Sequence, residues 1–72
     1  MPDDFKPGST IKSLVKTLRL LKLFSPQHNV WTAEDMVSTL GYHKSSVQRI
    51  LTTLEREGFL FKVTPRRNEY RL

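Results

Sequence analysis

The sequence predicts a mainly α fold closed by a small β-hairpin. Three observations carry that expectation. Apolar residues recur at helical spacing in three separate segments between Ile11 and Glu57. After Gly58 the period changes to two, as a strand requires. Gly and Pro fall between these segments, where chain reversals need them. At 72 residues the chain has room for one small domain. Its 38% hydrophobic content is enough for a modest core and argues against wholesale disorder.

Residues 1–9 carry Pro2, Pro7 and Gly8 and few apolar groups, which reads as a flexible arm ahead of a domain at 10–72. Thr10 is placed to cap a helix running from Ile11 to Phe24, free of Gly and Pro and stopped by Ser25-Pro26. At about 100° per residue, Ile11, Leu14, Val15 and Leu18 form one stripe, while Leu20, Leu23 and Phe24 fall on other sides. That is more apolar surface than one core needs. Either the core wraps around the helix end, or the helix also meets a second protomer or another domain.

A loop at Gln27–Asn29 precedes Val30-Trp31, a short extended piece. Thr32 then reads as the N-cap of a helix that turns Met36, Val37 and Leu40 inward. Gly41 suits the left-handed position that ends it. The next helix starts within His43–Ser46, runs to Glu57 on a narrow stripe of Val47, Ile50, Leu51 and Leu54, and is closed by Gly58. Phe59 follows where a terminal glycine motif places a contact back to Leu54. Two short helices across a tight Gly-containing turn make a helix-turn-helix. Phe59, Phe61 and Val63 alternate with Leu60 and Lys62. Residues 64–68 are turn chemistry with Arg66 and Arg67 at the tip. Glu69–Leu72 alternates again, with Tyr70 and Leu72 on one face. Three helices and a two- to three-stranded wing define a winged helix-turn-helix. The chain stops at the end of a strand without a polar tail, so a larger protein is expected to continue beyond Leu72.

The formal charge of +5 is unevenly placed: residues 10–25 carry +4 and residues 58–72 carry +3. A polyanion is the natural partner of such a surface. On the third helix, Ser45, Arg49, Thr52 and Arg56 lie opposite the apolar stripe, flanked by Ser46, Gln48 and Thr53. A solvated helix face would also be polar. The basic wing tip decides for a helix that enters the major groove of DNA. Small side chains let the backbone approach, Arg49 and Gln48 reach base edges, and Lys44, Ser45, Ser46 and Thr52 reach phosphates. Arg66 and Arg67 are expected on the backbone or in the minor groove, and Thr32 reads equally as a cap that also touches phosphate or as a cap alone. Lys12, Lys16, Arg19 and Lys22 are spread around the first helix and read mostly as solubilising charge, with one or two expected within reach of DNA.

No reaction chemistry stands out. There is no Cys, no Gly-rich phosphate loop and no G-x-S-x-G, and His28 and His43 lack a metal-site pattern. No enzyme, cofactor or metal is expected. No apolar run approaches the ~18 residues of a membrane span. The start lacks a signal-peptide pattern, so a cytoplasmic protein is the default.

In this order, these residues resemble the DNA-binding domain of the IclR family of bacterial transcriptional regulators, from Ile11 to Leu72. The first helix resembles that family's opening "SL-x-x-A-L-x-I-L-x-x-L" segment. Residues 41–60, GYHKSSVQRILTTLEREGFL, are similar to its "G-L-P-K-S-T-x-x-R-L-L-x-T-L-x-x-x-G-F/Y" signature. Tyr70-Arg71-Leu72 resembles its "Y-R-L-G" end. The resemblance implies a winged helix-turn-helix that dimerises on palindromic operators, with a small-molecule effector bound by a separate C-terminal domain. It carries Lys44, Ser45, Ser46, Gln48 and Arg49 to the recognition helix (44–57) and Arg66 and Arg67 to the wing (64–68). Tyr42-His43 replaces the usual Leu-Pro, Ser46 the common Thr, and Val30-Trp31 a Leu pair. The competing functions are a winged helix used for protein–protein interaction and one that binds RNA. Fold alone does not separate them.

Overall fold

The computed structural model describes residues 8–72, and the part of the N-terminal arm before Gly8 lies outside them. The elements run α1 (Lys12–Leu21), β1 (Val30–Thr32), α2 (Ala33–Leu40), α3 (Lys44–Arg56), β2 (Phe61–Lys62) and β3 (Glu69–Arg71). The strands form one antiparallel sheet in the order β1-β3-β2. Trp31 faces Tyr70 across β1 and β3, and Phe61 faces Arg71 across β2 and β3. The wing is therefore tied to the start of α2 through a shared strand.

The first helix is shorter than its sequence pattern suggests. Ile11, with φ −95° and ψ 115°, occupies the N-cap position and makes no side-chain cap bond, so Thr10 does not cap the helix. After Leu21 the bonds tighten: the amide of Leu23 donates to the Leu20 carbonyl and that of Phe24 to Leu21. This turn swings Phe24 into the core. The Trp31 indole N–H donates to the carbonyls of Leu23 and His28, both at 3.1 Å, fastening β1 to the end of α1.

Local chemistry governs the helix-turn-helix itself. The Asp35 amide donates to Thr32 Oγ1 at 3.0 Å, satisfying one of the four amides a helix start leaves open. Gly41 ends α2 at φ 72°, where a Cβ would be strained. Gly58, at φ 82°, ends α3. There the Phe59 amide donates to the Leu54 carbonyl and the Gly58 amide to Glu55, the paired bonds of a Schellman motif. The Phe59 ring nonetheless stays 59% exposed, and the next side chain, Leu60, is the one that enters the core.

The core comprises Leu20, Phe24, Trp31, Ala33, Met36, Val47, Leu51, Leu54, Leu60 and Tyr70. It sits between α2, α3, the inner sheet face and the C-terminal end of α1. Tyr70 is buried, but Leu72 is not: it lies past the last sheet pairing and stays exposed. On α1 only Leu20 is fully buried, whereas Ile11, Leu14 and Leu18 are each about half exposed or more. The apolar stripe at the start of the chain thus faces outward.

Candidate nucleic-acid interface

The outward ridge of α3 carries Ser45, Arg49 and Thr52, all exposed. Opposite them, Val47, Leu51 and Leu54 are buried, so the helix cannot rotate to hide this ridge without opening the core. His43 holds the N-cap position at φ −64° and ψ 146°, with no side-chain cap bond. That φ is one a proline would also adopt, so His43 holds a backbone compatible with the Pro of the signature it resembles. The amides of Lys44, Ser45 and Ser46 precede the first helical bond, which runs from Val47 to the His43 carbonyl. They point out of the helix start as donors.

The ridge divides two grooves. On one flank, Lys44 and Gln48 line a cleft of about 230 Å³ with Ala33, Ser38 and the wing-tip residue Asn68. On the other, Ser46 and Arg49 line a larger groove of about 570 Å³ with Lys12, Ser13, Lys16 and Thr17 of α1. Residues read from the sequence as one face are therefore sorted between two walls. Thr32 is half-buried at the start of α2, next to Ala33 of the first cleft. Arg66 and Arg67 are exposed at the wing tip, and Arg67 pairs with Glu69 at 3.6 Å. That pair is too exposed to hold Arg67 against a stronger anion.

Sequence reasoning passed over Asn68 and did not single out Lys12 and Lys16 from the four basic residues of the first helix. The two lysines looked like scattered surface charge because a wheel for a single helix does not show which neighbour faces them. Among the described residues, no cluster of three or more His, Asp or Glu could hold a metal ion, and no helix is long and apolar enough to cross a membrane.

A helix-turn-helix with a sheet-tethered basic hairpin defines the winged helix-turn-helix class. The comparisons with known proteins agree. The family model of the IclR helix-turn-helix domain matches residues 13–63. An IclR-family transcriptional regulator from Brucella abortus superposes with a TM-score of 0.81 at 26% identity, over 92% of this chain and 25% of its own. An IclR-family regulator from Rhodococcus sp. matches at TM-score 0.78 and 19% identity, over 100% of this chain and 28% of its own. No match was found among curated proteins. This chain belongs to the IclR helix-turn-helix domain family, a DNA-binding type found in transcriptional regulators. It spans about a quarter of the length of the regulators it resembles.

Proposed function

We propose that this domain binds duplex DNA sequence-specifically as the DNA-reading part of a bacterial IclR-type regulator. The observation that carries the reading is the exposed ridge of Ser45, Arg49 and Thr52 on a helix anchored by three buried residues. In this arrangement α3 enters the major groove, whose width of about 12 Å admits one helix. Arg49 and Gln48 read base edges, while Lys44, Ser45, Ser46 and Thr52 lie nearer the phosphates. Thr32 and the wing arginines, Arg66 and Arg67, hold the backbone or the minor groove.

Two copies acting on a palindromic operator fit the small footprint of one module. The exposed Ile11, Leu14 and Leu18 supply an apolar surface on which a second copy could pair. Effector binding, in this reading, belongs to a further C-terminal domain, as the family resemblance implies. The action is cytoplasmic, where such an operator lies.

Selection on a random duplex-DNA library at two salt concentrations tests this. A roughly palindromic motif that persists at higher salt is the expected result. No enrichment, with binding lost at moderate salt, would reduce the interaction to counterion release. Competition by RNA as strong as by the selected duplex would also overturn the reading.

A further inference from the structure

The first two turns of α1 are built the wrong way round for a helix that only packs. Their side toward α3 carries Lys12, Ser13 and Lys16, and their side toward solvent carries Ile11, Leu14 and Leu18. The groove between α1 and α3 therefore stays open, at about 570 Å³, with no acidic side chain among the described residues lining it. Closing it would force two ammonium groups out of water with no counter-charge, which is costly. An anion entering from outside removes that cost.

The hydroxyls along the groove are not equivalent. Thr17 Oγ1 donates to the Ser13 carbonyl at 2.9 Å, and Thr53 Oγ1 donates to the Arg49 carbonyl at 2.8 Å. Their protons are engaged within their own helices. Ser13, Ser46, Arg49 and the two lysines remain as donors toward the opening. The Lys16 ammonium lies 5.4 Å from the centre of the Tyr42 ring, a cation–π contact that fixes its direction. Tyr42 stands where the signature it resembles has Leu, which has no ring to offer Lys16.

We propose that the α1–α3 groove is a phosphate-binding site for the DNA backbone, with Lys12 and Lys16 as its charges and Tyr42 as a positioning residue. It rests on the duplex-DNA reading above and adds to it. A helix in the major groove has a sugar–phosphate strand on each side. The start of α2 and the wing face one strand. The groove on the opposite flank of α3 grips the other, so the reading helix is clamped from both sides and Arg49 is held at a fixed depth.

The test uses the full chain, the selected duplex and an unrelated duplex, with Lys12→Gln/Lys16→Gln as the variant. The lysines are on the surface, and circular dichroism of the variant is the check that the helices persist. The variant should lose affinity for both duplexes alike, and its salt slope should become shallower by about 0.9 for each phosphate no longer neutralised. Neutral methylphosphonates placed singly along each strand locate the site on the duplex. Within each half-site, wild type should lose affinity at positions on both strands, and the variant should become indifferent on one of the two. Tyr42→Leu should weaken binding by about two- to fivefold in the presence of Lys16 and have no further effect with Lys16→Gln. Tyr42→Phe should keep wild-type affinity. An unchanged salt slope in the double lysine variant overturns the groove site, as does an unchanged methylphosphonate pattern. A wild-type chain that selects no motif fails the DNA reading itself and is thereby distinguished from failure of the groove.

Discussion

Helices α1 and α3 show the same kind of amphipathic pattern with opposite outcomes. On α3 the stripe of Val47, Leu51 and Leu54 is buried, and the polar ridge faces out. On α1 the stripe of Ile11, Leu14 and Leu18 faces out, and polar residues face the neighbouring helix. Periodicity shows that a stripe needs cover; it does not say what provides the cover. For α3 the cover comes from within the chain, so its exposed ridge is fixed in space and suited to reading a ligand. For α1 the described residues leave the stripe uncovered, and the proposed second copy is what would cover it.

The largest expected effect tests that contrast directly. Leu51→Ala should cost about 2–5 kcal/mol, because it leaves a cavity in the core. Leu18→Ala, at a surface position in the monomer, should stay within about 0.5 kcal/mol. Urea titration at high dilution measures both, and equal losses would show that the stripe of α1 is covered within one chain.

Next in size is the wing. Replacing Arg66 and Arg67 with Ala should weaken all duplexes alike and flatten the salt dependence by about 0.9 for each phosphate that an arginine had neutralised. Setting that change beside the effect of the α1 lysines shows whether the two flanks of α3 contribute equally. An unchanged slope would remove the wing from the interface.

Thr32→Ala should cost about 1 kcal/mol of stability through loss of the cap on Asp35, and Thr32→Ser should recover most of it. Thermal unfolding of the three chains without DNA reads this out. It separates the structural role of Thr32 from any phosphate contact.

The smallest effect concerns pH. Burial, with a smaller contribution from the negative charge of Glu55, raises the Tyr70 phenol above its usual 10.0. The folded state therefore holds this proton more tightly than the unfolded chain. The stability it contributes is fully present below 10.0 and is lost as pH rises through the higher folded value. Tyr70→Phe should remove that alkaline step from the stability profile and leave neutral pH little changed. A profile with the same step in both chains would place its origin elsewhere.

What the sequence made legible follows the range of the interactions. The Thr32 cap, the left-handed Gly41 and Gly58, and the stripe of α3 are decided within a few residues of themselves, and each appears where its chemistry predicts. The start of α1 was misplaced because Thr10 is a good cap by type, yet the helical turn begins after Ile11. Alternation after Gly58 marked a strand but did not reveal that β2 spans only Phe61–Lys62. The direction of α1 depends on Leu20 and Phe24 reaching residues far along the chain, which no local pattern encodes. The same dependence hid Lys12 and Lys16: they became part of a site only once α3 was placed beside them. On α3, the residues expected to contact DNA all lie on the ridge or its two groove walls, because a single well-buried stripe determines every other face of the helix.

The central claim is that α3 reads base sequence, and Arg49→Ala tests this most directly. Binding of wild type and variant is measured on the selected duplex and on an unrelated duplex at the same salt. A base-reading Arg49 predicts a loss of about 1–3 kcal/mol on the selected duplex and a much smaller one on the other, with relaxed preference at one base position. Equal losses on the two duplexes would contradict it, leaving Arg49 as one more phosphate contact.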